Sequence, residues 1–203
     1  MKCQPLTEAA ARTARIVDEF SAQARRLLAD RERANGIVLR GFASRLPLPS
    51  LADRFGLRAA ALADYPMYRG LARLVGMEVI STAGSMVRRY EDLADRRADY
   101  DYFFIHYKKT DATGEDLDFE GKVNAIEELD TTIPELMKVK PDVLIITGDH
   151  STPAVMGTHS WHPVPVLLWG NNVRVDAATN FGEQAALWGS LGRFPTMHLM
   201  PIA

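Results

Sequence analysis

Apolar and polar positions change their rhythm several times along the chain. From Thr7 to Asp30, Ala9, Ala10, Ala14, Val17, Phe20, Ala24, Leu27 and Leu28 recur near helical spacing with Arg and Glu between them. That predicts an amphipathic helix, with Thr7 as its cap. Gly36 to Gly41 reads as a short strand, and Leu46 to Ser50 as a Pro-bearing loop. Ser50 can cap a short helix to Phe55 that Gly56 closes. Arg58 to Ala63 is a weaker strand, Tyr65 to Val75 a helix with Pro66 in its first turn, and Met77 to Ser81 another strand. Met86 to Ala98 alternates apolar with charged residues and predicts a helix with one solvated face. Tyr100 to Tyr107 is aromatic and apolar, as strands are. Lys108 to Asp118 reads as an acidic loop, and Phe119, Val123, Ile126, Ile133 and Met137 return to helical spacing.

The stretch from Pro141 to Trp169 concentrates the chemistry. Val143 to Ile146 is apolar throughout, the pattern of a strand buried on both faces. It ends in Thr147-Gly148-Asp149-His150; a loop then leads to His159-Ser160-Trp161-His162 and a second apolar run, Val164 to Trp169. Strand, acidic loop, helix, strand predicts a right-handed βαβ unit with Asp111 and Asp149 at one sheet edge, where α/β folds gather their ligands. Asn171 to Ala203 reads as loop-rich, with a helical turn at Glu183 to Trp188.

Seven residues are expected to converge at that edge: Asp111, Glu115, Asp116, Asp149, His150, His159 and His162. An Asp-His pair after a strand can also be a helix cap. Three imidazoles within thirteen positions, in a chain holding five, weigh against that and for a metal site. Carboxylate mixed with imidazole suits manganese, zinc or iron better than calcium. Arg40, Arg69, Lys108 and Lys109 are the cations placed to meet a phosphate or carboxylate, although any one of them could be a solvated surface charge.

Length and composition narrow the setting. A chain of 203 residues with 47% hydrophobic and 25% charged residues is that of an ordinary globular protein. A net charge of −2 supplies no basic footprint for nucleic acid. One cysteine, Cys3, excludes an internal disulfide framework. No apolar run reaches membrane-spanning length and the first twenty residues are not signal-like, so a cytoplasmic protein without membrane or nucleic-acid partners is expected.

Residues 108–123, 147–153 and 159–165, together with Leu39-Arg40-Gly41, 54–59, 70–77 and 189–193, resemble the archaeal-type 2,3-bisphosphoglycerate-independent phosphoglycerate mutases of the alkaline phosphatase superfamily. The resemblance implies an α/β fold: an alkaline phosphatase-like sheet flanked by helices, incomplete here, with part of an inserted capping domain. Residues 1–85 would be a remnant of that insertion and 86–203 the C-terminal part of the metalloenzyme domain. It implies two divalent metal ions, usually manganese, with zinc or cobalt as alternatives. One ion would be bound by Asp111, the residue at 115 and His159, the other partly by Asp149 and His150. Arg40, Lys109 and Arg69 would contact substrate. The reaction would interconvert 2- and 3-phosphoglycerate in glycolysis and gluconeogenesis through a phosphoserine.

Two departures stand out. Many members carry His where this chain has Glu115, and a carboxylate there favours harder ions. The family's serine nucleophile and first metal-binding Asp lie in a segment ahead of anything matched here; neither Ser151 nor Ser160 takes that role in the family pattern. The chain is therefore expected to be the C-terminal half of a mutase, inactive alone, and either self-associating or completed by a partner carrying the other half. The rival readings are a metal-dependent phosphohydrolase and a metal-binding subunit or pseudoenzyme.

Overall fold

The structure is a computed structural model that describes residues 2–44, 46–81 and 84–203. The chain divides into two compact units, 1–47 and 48–203.

The first unit holds a 3-10 turn, Glu8–Ala10, running into helix α1, Ala11–Leu27. Thr7 occupies the cap position, but its side chain makes no capping bond. Helical spacing does its work here, although only Ala14 of α1 is buried. The strand expected at Gly36 to Gly41 does not form; residues 35–44 have no regular structure. A strand is defined by the neighbour that takes its backbone bonds, and among the described residues this segment has none.

The second unit opens with α2, Leu51–Phe55. Ser50 accepts from the Asp53 N–H while the Asp53 carboxylate accepts from the Ser50 N–H, a reciprocal cap, and Gly56 ends the helix at φ 70°. Three parallel strands follow: β1, Ala59–Leu62; β2, Glu78–Val79; and β3, Tyr102–Ile105. Their order is β2-β1-β3, with Ala59 to Leu62 in register against Tyr102 to Ile105. Helix α3, Pro66–Leu74, joins β1 to β2, and α4, Met86–Asp95, joins β2 to β3. β1 is buried along its whole length, because strands flank it on both sides. Its small alanines let helices approach, and Ala60, Leu62, Ile80 and Leu93 form the core, with Phe103 and Ile105 packed against it. Period-two alternation turns Phe104 to the opposite face, against Tyr68 of α3. The division expected between residues 85 and 86 falls between β2 and β3, within the span of this sheet.

The acidic loop expected at 108–118 is in fact largely a helix, α5, Lys109–Glu115. A second helix, α6, Phe119–Met137, starts at Asp118, whose side chain accepts from the Gly121 N–H. After it come β4, Val143–Thr147, and β5, Val166–Gly170, paired antiparallel with Val143 opposite Gly170 and Thr147 opposite Val166. The expected βαβ unit is therefore corrected: β3 and β4 belong to separate sheets. The expected double burial of Val143 to Ile146 is corrected too. Val143 is 43% exposed and the rest of β4 is half-buried or exposed, since it has a strand neighbour on one side only. The C-terminal stretch adds α7, Glu183–Ala186, and a 3-10 turn continuing into α8, Leu199–Ile202. The turn-and-helix at 196–202 carried no sequence signal.

Candidate metal centre

The site lies where the carboxyl ends of β3 and β4 meet. Helix α5 begins four residues after Ile105 and places Asp111 and Glu115 one turn apart on one face, as the spacing of four requires. β4 ends at Thr147, and the next residues carry Asp149 and His150. An isolated antiparallel bridge between Ser151 and Ser160 pins the returning loop and sets His159 beside His150. The two imidazoles stack with centroids 3.7 Å apart.

One ligand atom from each of Asp111, His150 and His159 lies within 4.8 Å of the other two. The remaining two metal-type residues border this trio. Glu115 Oε1 is 3.8 Å from His159 Nε2, and Asp149 Oδ2 is 3.6 Å from His150 Nε2. His150 thus faces Asp111 through Nδ1, at 3.8 Å, and Asp149 through Nε2. One carboxylate and two imidazoles at such separations are a donor set that fits a divalent transition ion once the side chains close on it.

Charge and hydrogen bonds hold Asp111 ready. Burial pushes its carboxyl pKa up, but the Lys108 ammonium and the Thr152 hydroxyl, which donates to Oδ1 at 2.5 Å, outweigh this and hold it below the usual range. Lys108 in turn is raised chiefly by its bond to Asp111. The Lys122 ammonium donates to the carbonyls of Thr110, at 2.7 Å, and Thr152, at 2.9 Å, so it ties helix α5 to the loop after β4 beneath the site. Gly114 makes the close approach feasible: a Cβ there would stand 2.3 Å from the Thr152 carbonyl oxygen.

Other expected residues lie elsewhere. His162 bonds Ser160 through Nδ1, at 2.8 Å, and Glu183 through Nε2, at 3.1 Å, outside the trio. Asp116 follows α5 as its C-cap. The Lys109 ammonium is bound by Glu128 at 2.6 and 2.8 Å. Arg69 sits on α3, and Arg40 in the irregular segment of the first unit.

The sequence reading missed Tyr68. Its hydroxyl donates to the Asp149 carboxylate, and its ring stacks on His106 at 3.9 Å. Burial and that carboxylate both push its pKa up. Thr152 and Lys122 were missed as well. No residue type or spacing marks them; each acts through what the fold brings beside it. Next to Lys108 runs a cleft of about 190 Å³, bordered by Asp64, Arg89, His106 and Lys109.

Fold and site together define an α/β protein with a metal-type cluster at its strand ends. Residues 39–203 match the metalloenzyme superfamily, and the chain belongs to it. Over its full length the chain is 46% identical to a probable 2,3-bisphosphoglycerate-independent phosphoglycerate mutase of Thermus thermophilus, covering 50% of that protein. A protein of the same name in Thermotoga maritima is 44% identical over 98% of this chain and 49% of its own length. The chain thus spans about half the length of the curated relatives it matches. Among solved structures, the PH0037 protein from Pyrococcus horikoshii superposes with a TM-score of 0.85 at 31% identity, over 96% of this chain and 57% of that one. The cofactor-independent phosphoglycerate mutase from Thermoplasma acidophilum shares the fold, with a TM-score of 0.65 at 24% identity, over 100% of this chain and 54% of that one. Among the described residues no helix is long and apolar enough to cross a membrane.

Proposed function

We propose that this chain carries the metal-binding part of a cofactor-independent phosphoglycerate mutase, an isomerase that moves a phosphoryl group between the 2- and 3-hydroxyls of glycerate. The observation that carries the reading is the Asp111–His150–His159 trio at the strand ends, in a chain 46% identical to a relative so named. Asp111, Glu115 and His159 are proposed to hold one divalent ion, and Asp149 with His150 to contribute to a second. Manganese is the expected metal, with zinc or cobalt as alternatives. Such ions supply charge neutralisation at the transferring phosphoryl oxygens.

The chain's own residues have distinct parts. Lys108 and Thr152 keep Asp111 ionised. Tyr68 holds Asp149. Arg69 and Lys109 are proposed to meet the substrate's carboxylate and phosphate; Lys109 would exchange its bond with Glu128 for that contact. Covalent transfer needs a nucleophile, and no residue of this chain is assigned that role. The serine is expected in the half of the relatives' length outside the match, on a stretch of polypeptide that completes this one. Residues before 86 are proposed to derive from an inserted capping segment, and the protein to work in the cytoplasm, in glycolysis and gluconeogenesis.

That coverage of half also favours a second reading, in which the chain is a metal-binding subunit for a partner. One assay separates them. The purified chain, with manganese and 3-phosphoglycerate, is coupled to enolase, alone and then mixed with the uncovered half of the Thermus thermophilus relative. No turnover alone and turnover in the mixture supports the mutase reading. Turnover by the chain alone that Asp149→Ala abolishes would place the nucleophile inside these 203 residues. No turnover in a formed, metal-loaded complex would leave the subunit reading.

A further inference from the structure

We propose that Ser160, His162 and Glu183 form a nucleophilic relay that hydrolyses small activated carboxylic esters. This activity is separate from the proposed phosphoryl transfer and does not rest on it.

Three residues outside the metal trio stand in one hydrogen-bonded line. Ser160 Oγ lies 2.8 Å from Nδ1 of His162, and Nε2 of the same ring lies 3.1 Å from Glu183 Oε1. An ionised carboxylate only accepts, so in the neutral ring the proton sits on Nε2 and the Nδ1 lone pair faces the serine. The Ser160 hydroxyl therefore donates to an imidazole base. The other acceptor within its reach, the Ser151 carbonyl, is farther away at 3.5 Å. A hydroxyl, a base and a third group that orients the base are the parts that make a serine nucleophilic. The two ring nitrogens hold the reverse of their places in the chymotrypsin-type triad, but the chemistry needs only one donor and one acceptor on the ring.

The fold holds these parts from two sides. The Ser160 N–H donates to the Ser151 carbonyl at 3.0 Å, which fixes the backbone at the nucleophile. Pro163 keeps His162 out of helical dihedrals. Glu183, 21 residues beyond His162, opens α7 and reaches back to the ring. The Ser160 and His162 side chains are half-buried, so the hydroxyl is shielded without being closed off. The N–H of the residue after a nucleophilic serine is a usual donor to the oxyanion. Here it is that of Trp161, which has no acceptor among the described residues. Trp161 and Leu187, one turn after Glu183, are both exposed and offer apolar surface to an aryl ester.

The reaction balances without an added oxidant or metal. Ser160 Oγ attacks the ester carbonyl carbon while its proton passes to Nδ1 of His162, and Glu183 stabilises the imidazolium. The tetrahedral oxyanion collapses, the carbon–oxygen bond to the alcohol breaks, and the alcohol leaves with the proton from Nδ1. Water then attacks the acylated serine with His162 again as base. The acid departs and the proton returns to Ser160.

The test uses the full chain and p-nitrophenyl acetate, once with EDTA and once with manganese. Nitrophenolate release is followed by absorbance, and quenched protein is mapped by peptide mass spectrometry. In both conditions a burst of nitrophenolate is expected, with an acetyl group on the peptide carrying Ser160. Ser160→Ala should remove the burst, and His162→Ala should slow acylation by on the order of 100-fold or more. Glu183 is a positioning residue. Glu183→Gln should slow acylation at saturation without changing the half-saturating ester concentration, and Glu183→Asp should recover part of the rate. Circular dichroism checks that each variant is folded; the adduct map of the unaltered chain needs no variant. Acetylation of other residues without Ser160 would overturn the proposal, as would hydrolysis no faster than by free imidazole. Acylation of Ser160 that is as fast in His162→Ala would reduce the three residues to a latch between the loop and α7. Hydrolysis that EDTA abolishes would belong to the metal cluster and overturn the relay. The phosphoglycerate assay fails or succeeds independently, because it reads the metal site and a different ester.

Discussion

The central strand of the first sheet, β1, and the strand β4 of the second are both apolar and end up in opposite conditions. β1 is four residues long, three of them alanine, and Leu62 at its end is wholly buried. β4 has larger, more β-branched side chains, yet Val143 is 43% exposed and its partner strand leaves Trp169 at 41%. Burial is conferred by neighbours, not by the hydrophobicity of the strand itself: β1 has strands on both sides and helices above and below, whereas β4 has one strand on one side. The metal-type cluster draws one arm from each sheet, Asp111 from beyond β3 and His150 from beyond β4. Its geometry therefore depends on the joint between a firm region and an open one.

The comparison breaks most directly at its buried end. Leu62→Ala should cost about 2–5 kcal/mol, since a fully buried leucine leaves both lost transfer energy and a cavity. Leu144→Ala on half-buried β4 should cost less than half as much. Urea denaturation of the two variants checks this; equal losses would mean that β4 is as well packed as β1. Next in size is the cluster where the sheets meet. Asp111→Asn and His159→Ala should each weaken manganese binding by about 100-fold or more, beyond the 10–100-fold typical of outer-shell partners. His162→Ala should change it little, because that ring is engaged by Ser160 and Glu183. A calorimetric titration with the reverse pattern would move the ligand from His159 to His162.

The joint itself can be loosened. In Gly114→Ala the new methyl meets the Thr152 carbonyl oxygen, so α5 must shift away from the 150–153 loop. A loss of about 1–3 kcal/mol is expected, as for other forced insertions. The Asp111–Thr152 bond should go with it, seen as weaker metal binding on top of the lower denaturation midpoint. An unchanged protein would show that the two regions are not coupled through this contact.

The smallest effect is a pH signature confined to the firm sheet. Arg58, just before β1, donates from its guanidinium and its backbone N–H to Asp101, just before β3, and these bonds draw the Asp101 carboxyl down from 3.8 to about 2. A carboxyl depressed on folding adds stability above its unfolded pKa and loses it as pH falls through the folded value. Asp101→Asn should thus lower the melting temperature slightly at pH 5 and above. The gap to the parent should close between about pH 4 and 2. A gap independent of pH would mean that packing, not ionisation, links these strand starts.

Much of this architecture could be read from local signals. The Ser50 cap and Gly56 stop, the Pro66 start of α3 and the 3.6-residue rhythm of α6 each appear where the pattern put them, because each depends on residues within a few positions. The Asp149-His150 and His159 motifs announced metal-type chemistry for the same reason: ligand identity is a property of residue type. Three expectations failed where the answer lay in distant partners. Gly36 to Gly41 is strand-like in composition, but no strand among the described residues pairs with it. The apparent acidic loop is helical from Lys109 to Glu115 because α5 packs against α6. β3 and β4, expected side by side, lie in different sheets.

The sequence by itself determined which segments coil into helices, where most of them start and stop, and which side chains can ligate a metal. These follow from backbone dihedral preferences, capping bonds and donor chemistry, all of short range. Only the tertiary structure decided that His150, rather than Glu115, completes the tight trio with Asp111 and His159. It alone decided that Tyr68, Thr152 and Lys122 hold the site from 81, 41 and 12 residues away in their respective bonds, and that β4 keeps an open side. Such facts depend on which distant surfaces meet, and a contact between residues far apart in the chain leaves no periodicity along it.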